Sequence, residues 1–94
     1  MGTTIHFKIL KSGNKSWWNA TANRINDYGE KHNLPVEPMP SIEECRNLGG
    51  GFVKTYAKQP YHNKVINMLK ASRTHGFVVE VRDELDNRVR RYGK

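Results

Sequence analysis

Residues 60–82 read PYHNKVINMLKASRTHGFVVEVR, and a change of hydrophobic period inside this stretch decides the fold. Tyr61, Val65, Met68, Leu69 and Ser72 recur every three or four positions. Asn63, Lys64, Asn67, Lys70 and Arg73 fall on the other side, so the spacing predicts an amphipathic helix with one face to bury. Gly76 supplies the stop, since glycine takes the left-handed conformation that closes a helix at no steric cost. From Phe77 to Arg82 the run turns β-branched, with Val78, Val79 and Val81, and predicts a strand.

Toward the C-terminus, Asp86 and Asn87 supply a turn, and Arg88 to Tyr92 return as the hairpin partner. Glu80, Asp83, Glu84 and Asp86 stand opposite Arg82, Arg88, Arg90 and Arg91, the ordinary charge pairing of adjacent strands. The tail RVRRYGK, from Arg88 to Lys94, reads either as a source of phosphate contacts or as a sheet edge blunted by charge.

Toward the N-terminus, Phe52 to Ala57 fits a short strand, with Phe52, Lys54 and Tyr56 on one face and Val53, Thr55 and Ala57 on the other. Ser41 and Glu44 have the spacing of a capping box, which places a short helix over Ile42 to Leu48, ended by glycine. Pro35, Pro38 and Pro40 make Leu34 to Pro40 an extended crossover, and Asn33 is suited to a left-handed stop before it. The preceding helix runs from Trp17 to His32, capped by Ser16, with the stripe Trp18, Ala22, Ile25 and Tyr28 turned inward. Asn19, Asn23, Asn26 and Glu30 are left outside, and Trp17 either covers the helix start or offers a stacking surface. Thr3 to Leu10 alternates Ile5, Phe7 and Ile9 with Thr4, His6 and Lys8, a half-buried strand.

These elements define an α+β fold, a small and mainly antiparallel sheet of three to four strands covered on one face by two helices. With 94 residues the whole chain, 1–94, is expected to form a single domain. The single cysteine, Cys45, excludes an internal disulfide and any zinc site built from several thiolates. No stretch approaches the roughly 20 apolar residues of a spanning helix, and MGTTIHFKIL has no cleavage pattern. A cytoplasmic protein with no membrane partner, no cofactor and no metal is the expectation.

The formal charge is +7, from 16 Lys and Arg against 9 Asp and Glu. The excess concentrates in Cys45 to Val79, thirty-five residues without an acid that hold Arg46, Lys54, Lys58, Lys64, Lys70 and Arg73. Such a segment attracts polyanions. Within it, GGGFVKT (Gly49 to Thr55) is not a P-loop, because Val53 rather than glycine precedes Lys54 and a strand rather than a helix follows. It reads as a loop whose bare backbone can approach a phosphate, or as a plain connection. Lys64, Asn67, Lys70 and Arg73 are expected to form one stripe suited to a phosphate backbone.

The reading favoured by the sequence is therefore a small, non-enzymatic nucleic-acid-binding protein, RNA ahead of DNA, that uses this basic helix and the glycine loop. Its expected contacts are Lys54, Tyr56, Lys58, Lys64, Asn67, Lys70, Arg73, Arg90 and Arg91, with tyrosine available to stack on bases. A metal-free ribonuclease, toxin-like in size, is the alternative, with His62 and His75 as acid and base. A third is a protein-interaction module or inhibitor, of the kind carried by phages and plasmids, docking on an acidic partner or on a nucleic-acid-binding host protein.

Overall fold

Alternation in Thr4–Lys11 and in Val78–Asp83 produces the two central strands, β1 and β3, which pair antiparallel with Phe7 opposite Val81. The computed structural model describes residues 3–56, 58–85 and 87–94, and the side chains of all of these except 46–48. Gly50–Lys54 (β2) pairs antiparallel with the other edge of β1, and Arg88–Tyr92 (β4) with β3, giving the order β2-β1-β3-β4. Three helices accompany the sheet: α1, Lys15–Lys31; α2, Ile42–Leu48; and α3, Tyr61–Ala71, which continues as a 3₁₀ turn, Ser72–His75. The architecture is the α+β sheet-and-helix arrangement expected.

One sheet face is packed. Ile5, Phe7, Val53, Val79 and Val81 are buried in one cluster with Trp18, Ala22 and Ile25 of α1, Val65, Met68 and Leu69 of α3, and Ile42 and Cys45 of α2. Burial pushes the Cys45 thiol up to about 12, with Glu44 adding to the effect, so it sits in this core as a small apolar group. Trp18 is fully buried between Phe7 and Phe77, with ring centroids 5.8 and 5.1 Å away.

Helix ends follow local chemistry. The cap of α1 is Asn14 rather than Ser16: its Oδ1 accepts the Trp17 N–H at 3.0 Å, so the helix starts two residues earlier than expected. At the other end Asn33 takes φ +50, as expected, with Asn33 N–H donating to the Glu30 carbonyl and Leu34 N–H to that of Gly29. Ser41 and Glu44 form the expected reciprocal box before α2, and Gly76 closes the 3₁₀ turn at φ +88.

Two asparagines assigned to the solvent face of α1 do structural work instead. Asn26 holds both backbone groups of Met39, accepting from its N–H at 2.7 Å and donating to its carbonyl at 3.0 Å. Asn19 accepts the Ile42 N–H at 2.9 Å. With the Trp18 indole donating to the Pro40 carbonyl and the Tyr61 hydroxyl to that of Glu37, four side chains tie down the proline-rich crossover. Such a crossover has no ladder of its own, so its backbone groups need these partners.

The triple glycine is no loop. Gly50 and Gly51 open β2, paired with Lys8 and Phe7, and only Gly49 lies in the turn, at φ +75. A Cβ at Gly50 would run into the Phe7 carbonyl oxygen, so the glycine permits close strand approach rather than mobility. β2 also ends at Lys54, short of the expected Ala57, which like the turn residue Asp86 lies outside the described residues.

Replacing Asn26 by Ala removes both partners of Met39, which is itself buried. The expected cost is about 2–3 kcal/mol, read as a lower midpoint in urea with an unchanged m-value.

Candidate functional site

The helix cations do not share a face. In an α-helix each step of three residues lags a full turn by about 60°, so a row spaced three, three and three swings to the opposite side over nine residues. Lys64 and Asn67 accordingly border a groove against Trp17, Thr21 and Arg24 of α1, while Lys70 borders a cleft against β4. Lys64 also holds its ammonium 4.8 Å from the centre of the Tyr28 ring. Arg73 is exposed in the 3₁₀ turn, and Lys58 and Tyr56 are exposed between β2 and α3, Tyr56 at φ +52.

His62 and His75 are kept apart. The rise of α3 and the turn beyond it separates them by about 20 Å. His75 stacks on Trp17 with centroids 4.2 Å apart and planes within 12°, which leaves Trp17 half-buried over the start of α1.

His62 is the centre of a different group. Its Nε2–H donates to Asp83 Oδ2 at 2.9 Å, and Nδ1 lies 2.6 Å from Thr55 Oγ1. The order hydroxyl, imidazole, carboxylate is that of a nucleophile, base and orienting acid. Thr55 is fully buried and His62 only 2% exposed, so no substrate reaches the hydroxyl. The three residues instead join the end of β2, the first turn of α3 and the end of β3. Among the described residues no three His, Cys, Asp or Glu side chains gather as a metal site requires.

The open side of the sheet is where exposed chemistry collects. Strand alternation puts His6, Lys8, Phe52, Lys54, Glu80, Arg82, Val89 and Arg91 on the face away from the helices. Registers align Phe52, His6, Arg82 and Val89 in a row across all four strands, with Lys8, Glu80 and Arg91 in the next row. Phe52 is 51% and Val89 61% exposed, large apolar groups that a solvated sheet face does not need. A shallow depression of about 230 Å³ lies between His6, Lys8, Arg82 and Val89.

Lys8, Lys54, Arg82 and Arg91 supply the charge of this face, against Glu80 and Glu84. Glu84 is engaged by His6, whose Nε2 lies 2.7 Å from its Oε2. This bond, and behind it the Thr4 N–H at 3.1 Å, holds the Glu84 carboxyl below its ordinary value of 4.5 despite some desolvation.

Of the residues expected from sequence, Lys54 and Arg91 belong to this face and Arg90 to the opposite side of β4. His6, Phe52, Arg82 and Val89 were missed. Their phase was readable from alternation, but which phase faces solvent depends on where the helices pack. Among the described residues no helix is long and apolar enough to cross a membrane. Comparison with protein-family models, with curated proteins and with solved structures finds no match.

Two outcomes follow from these hydrogen bonds. His62→Ala leaves buried Thr55 and half-buried Asp83 without the ring, and is expected to cost about 2–3 kcal/mol in urea unfolding. Because the folded Glu84 carboxyl is depressed, its stabilising contribution is present above pH 4.5 and is lost as pH falls through the folded value. A carbon-detected NMR titration should place the Glu84 midpoint below 4.5, moving upward in His6→Ala.

Proposed function

We propose that this protein binds single-stranded nucleic acid on the open face of its sheet. The observation that carries the reading is the row Phe52, His6, Arg82 and Val89, an exposed aromatic ring and an exposed aliphatic group aligned across four strands among cations. Unpaired bases present both a π-face and a phosphate, and such a surface meets both requirements. Phe52 stacks on a base, while Lys8, Lys54, Arg82 and Arg91 neutralise the backbone. A duplex hides its base faces and gains only the charge term, so single strands are preferred. Sheet platforms of this size hold two or three bases. The basic helix, which sequence alone favoured as the contact surface, becomes secondary because its cations diverge.

Fluorescence anisotropy with RNA and DNA oligonucleotides, single-stranded and duplex, tests this. Single strands should bind more tightly than duplexes of the same sequence, with a salt slope of about −3 for four phosphate contacts. Phe52→Ala should fold normally and lose about 1–3 kcal/mol of binding. Equal affinity for duplex, or full affinity in Phe52→Ala, overturns the reading.

A further inference from the structure

We infer that the outer edge of β2 takes an extended segment of a partner protein as an added strand, and that a lysine or arginine of that segment fills the cleft beside it. The backbone phase of β2 is the first support. Thr55 N–H donates to the Thr3 carbonyl at 2.9 Å, so Thr55, and by alternation Val53 and Gly51, turn their backbone groups toward β1. Lys54, Phe52 and Gly50 therefore turn theirs outward, and there the Lys54 carbonyl accepts from the Glu37 N–H at 3.0 Å. Gly50 is buried, but Phe52 is exposed, and its N–H and carbonyl have no hydrogen-bond partner among the described residues.

The crossover begins to cover this edge and then leaves it. Glu37 lies against Lys54 and Pro40 against Gly51, so the crossover runs antiparallel to β2 and continued pairing would set Met39 opposite Phe52. Asn26 holds both backbone groups of Met39 instead, at 2.7 and 3.0 Å, and draws the chain away. Pro40 passes under the sheet, where a Cβ on Gly51 would stand 3.2 Å from its ring. Between crossover and strand remains a cleft of about 350 Å³, whose lining includes Glu37, Pro38, Pro40, Glu44, Gly51 and Phe52.

Charge selects the occupant. In a protein of net charge +7 this cleft is lined by two carboxylates and by no cation. Glu44 uses Oε1 for its capping box, and among the described residues neither Glu37 nor Glu44 is in an ion pair. Pro38 and Phe52 offer an apolar bed to the stem of a lysine or arginine whose head reaches the carboxylates. An added strand is held by its backbone whatever its sequence, and the cleft chooses the side chain. The opposite edge, β4, is guarded by charge, whereas β2 carries none from Gly50 to Val53. The site stands apart from the proposed nucleic-acid surface, since it uses the backbone of Phe52 and not its ring.

The test titrates the wild-type protein with a fluorescein-labelled peptide of alternating threonine and valine that has lysine at its centre. A copy with glutamate at the centre and a copy with methylated backbone nitrogens are the comparisons. The lysine peptide is expected to bind about tenfold more tightly than the glutamate one, the gain of a charge-assisted hydrogen bond. It should also outbind the methylated copy, which cannot donate to the strand edge. Hydrogen exchange read by NMR locates the contact: the Phe52 amide should exchange faster than that of Val53 in the free protein and become protected with peptide bound. The lysine preference should fall to about one in Glu37→Gln combined with Glu44→Gln, which keeps the residue 37 N–H and the capping box. Phe52→Ala should retain the preference while losing nucleic acid, so the two readings fail separately. Equal affinity for lysine and glutamate peptides, undiminished binding of the methylated copy, or a Phe52 amide that stays unprotected overturns the inference. A free protein that sediments as a dimer with Phe52 already protected overturns it in favour of a second copy of this chain.

Discussion

Burial of the Trp18 side chain is the constraint on which the other elements depend. Its ring packs between Phe7 of β1 and Phe77, just ahead of β3, and its indole N–H reaches the Pro40 carbonyl at 3.1 Å. One residue of α1 thus fixes the helix against the two central strands and anchors the crossover that leads to α2. A tryptophan buries about 150–250 Å², worth about 4–6 kcal/mol as an upper figure, and no other side chain of this small core brings as much. The crossover then follows the helix because Asn19 and Asn26 hold its backbone at two further points. Two of the three asparagines in α1, poor helix formers, make sense on this account: Asn19 and Asn26 are retained for bonds that a better helix former could not make.

Polar chemistry is divided by the same packing. Inside, the Thr55, His62 and Asp83 chain satisfies buried groups where β2, α3 and β3 converge, and its inaccessibility argues for a structural role. Outside, the helices take one face of the sheet and leave the other, so the alternate residues of every strand become a flat array of cations and apolar groups. β4 is the edge strand beside α3, with Arg88, Arg90 and Arg91 all exposed and Tyr92 packed against the core. Charge along this strand also protects the sheet edge from pairing with another chain.

Where the structure departs from the sequence pattern, the causes are geometric. The expected row Lys64, Asn67, Lys70 and Arg73 ignored the lag of a helix that turns in 3.6 residues, and the structure sends its ends to different surfaces. The glycines looked mobile because composition cannot distinguish a loop from a strand that must approach its neighbour closely, as Gly50 approaches Phe7. His62 read as a possible acid or base beside His75, but its position in the first turn of α3 points it between two strand ends, which no spacing rule reveals.

Sequence by itself determined the periods, and hence the elements: the switch at Gly76, the capping box at Ser41 and Glu44, the left-handed Asn33, and the return of Arg88 to Tyr92 as a strand. These are local, set within a few residues by backbone sterics and side-chain capping. Tertiary structure alone decided which strand phase meets water, which asparagines are spent on the crossover, and which cations converge. Those outcomes depend on pairings between residues far apart in the chain, such as Phe52 with His6 or His6 with Arg82, and a period carries no record of its partner.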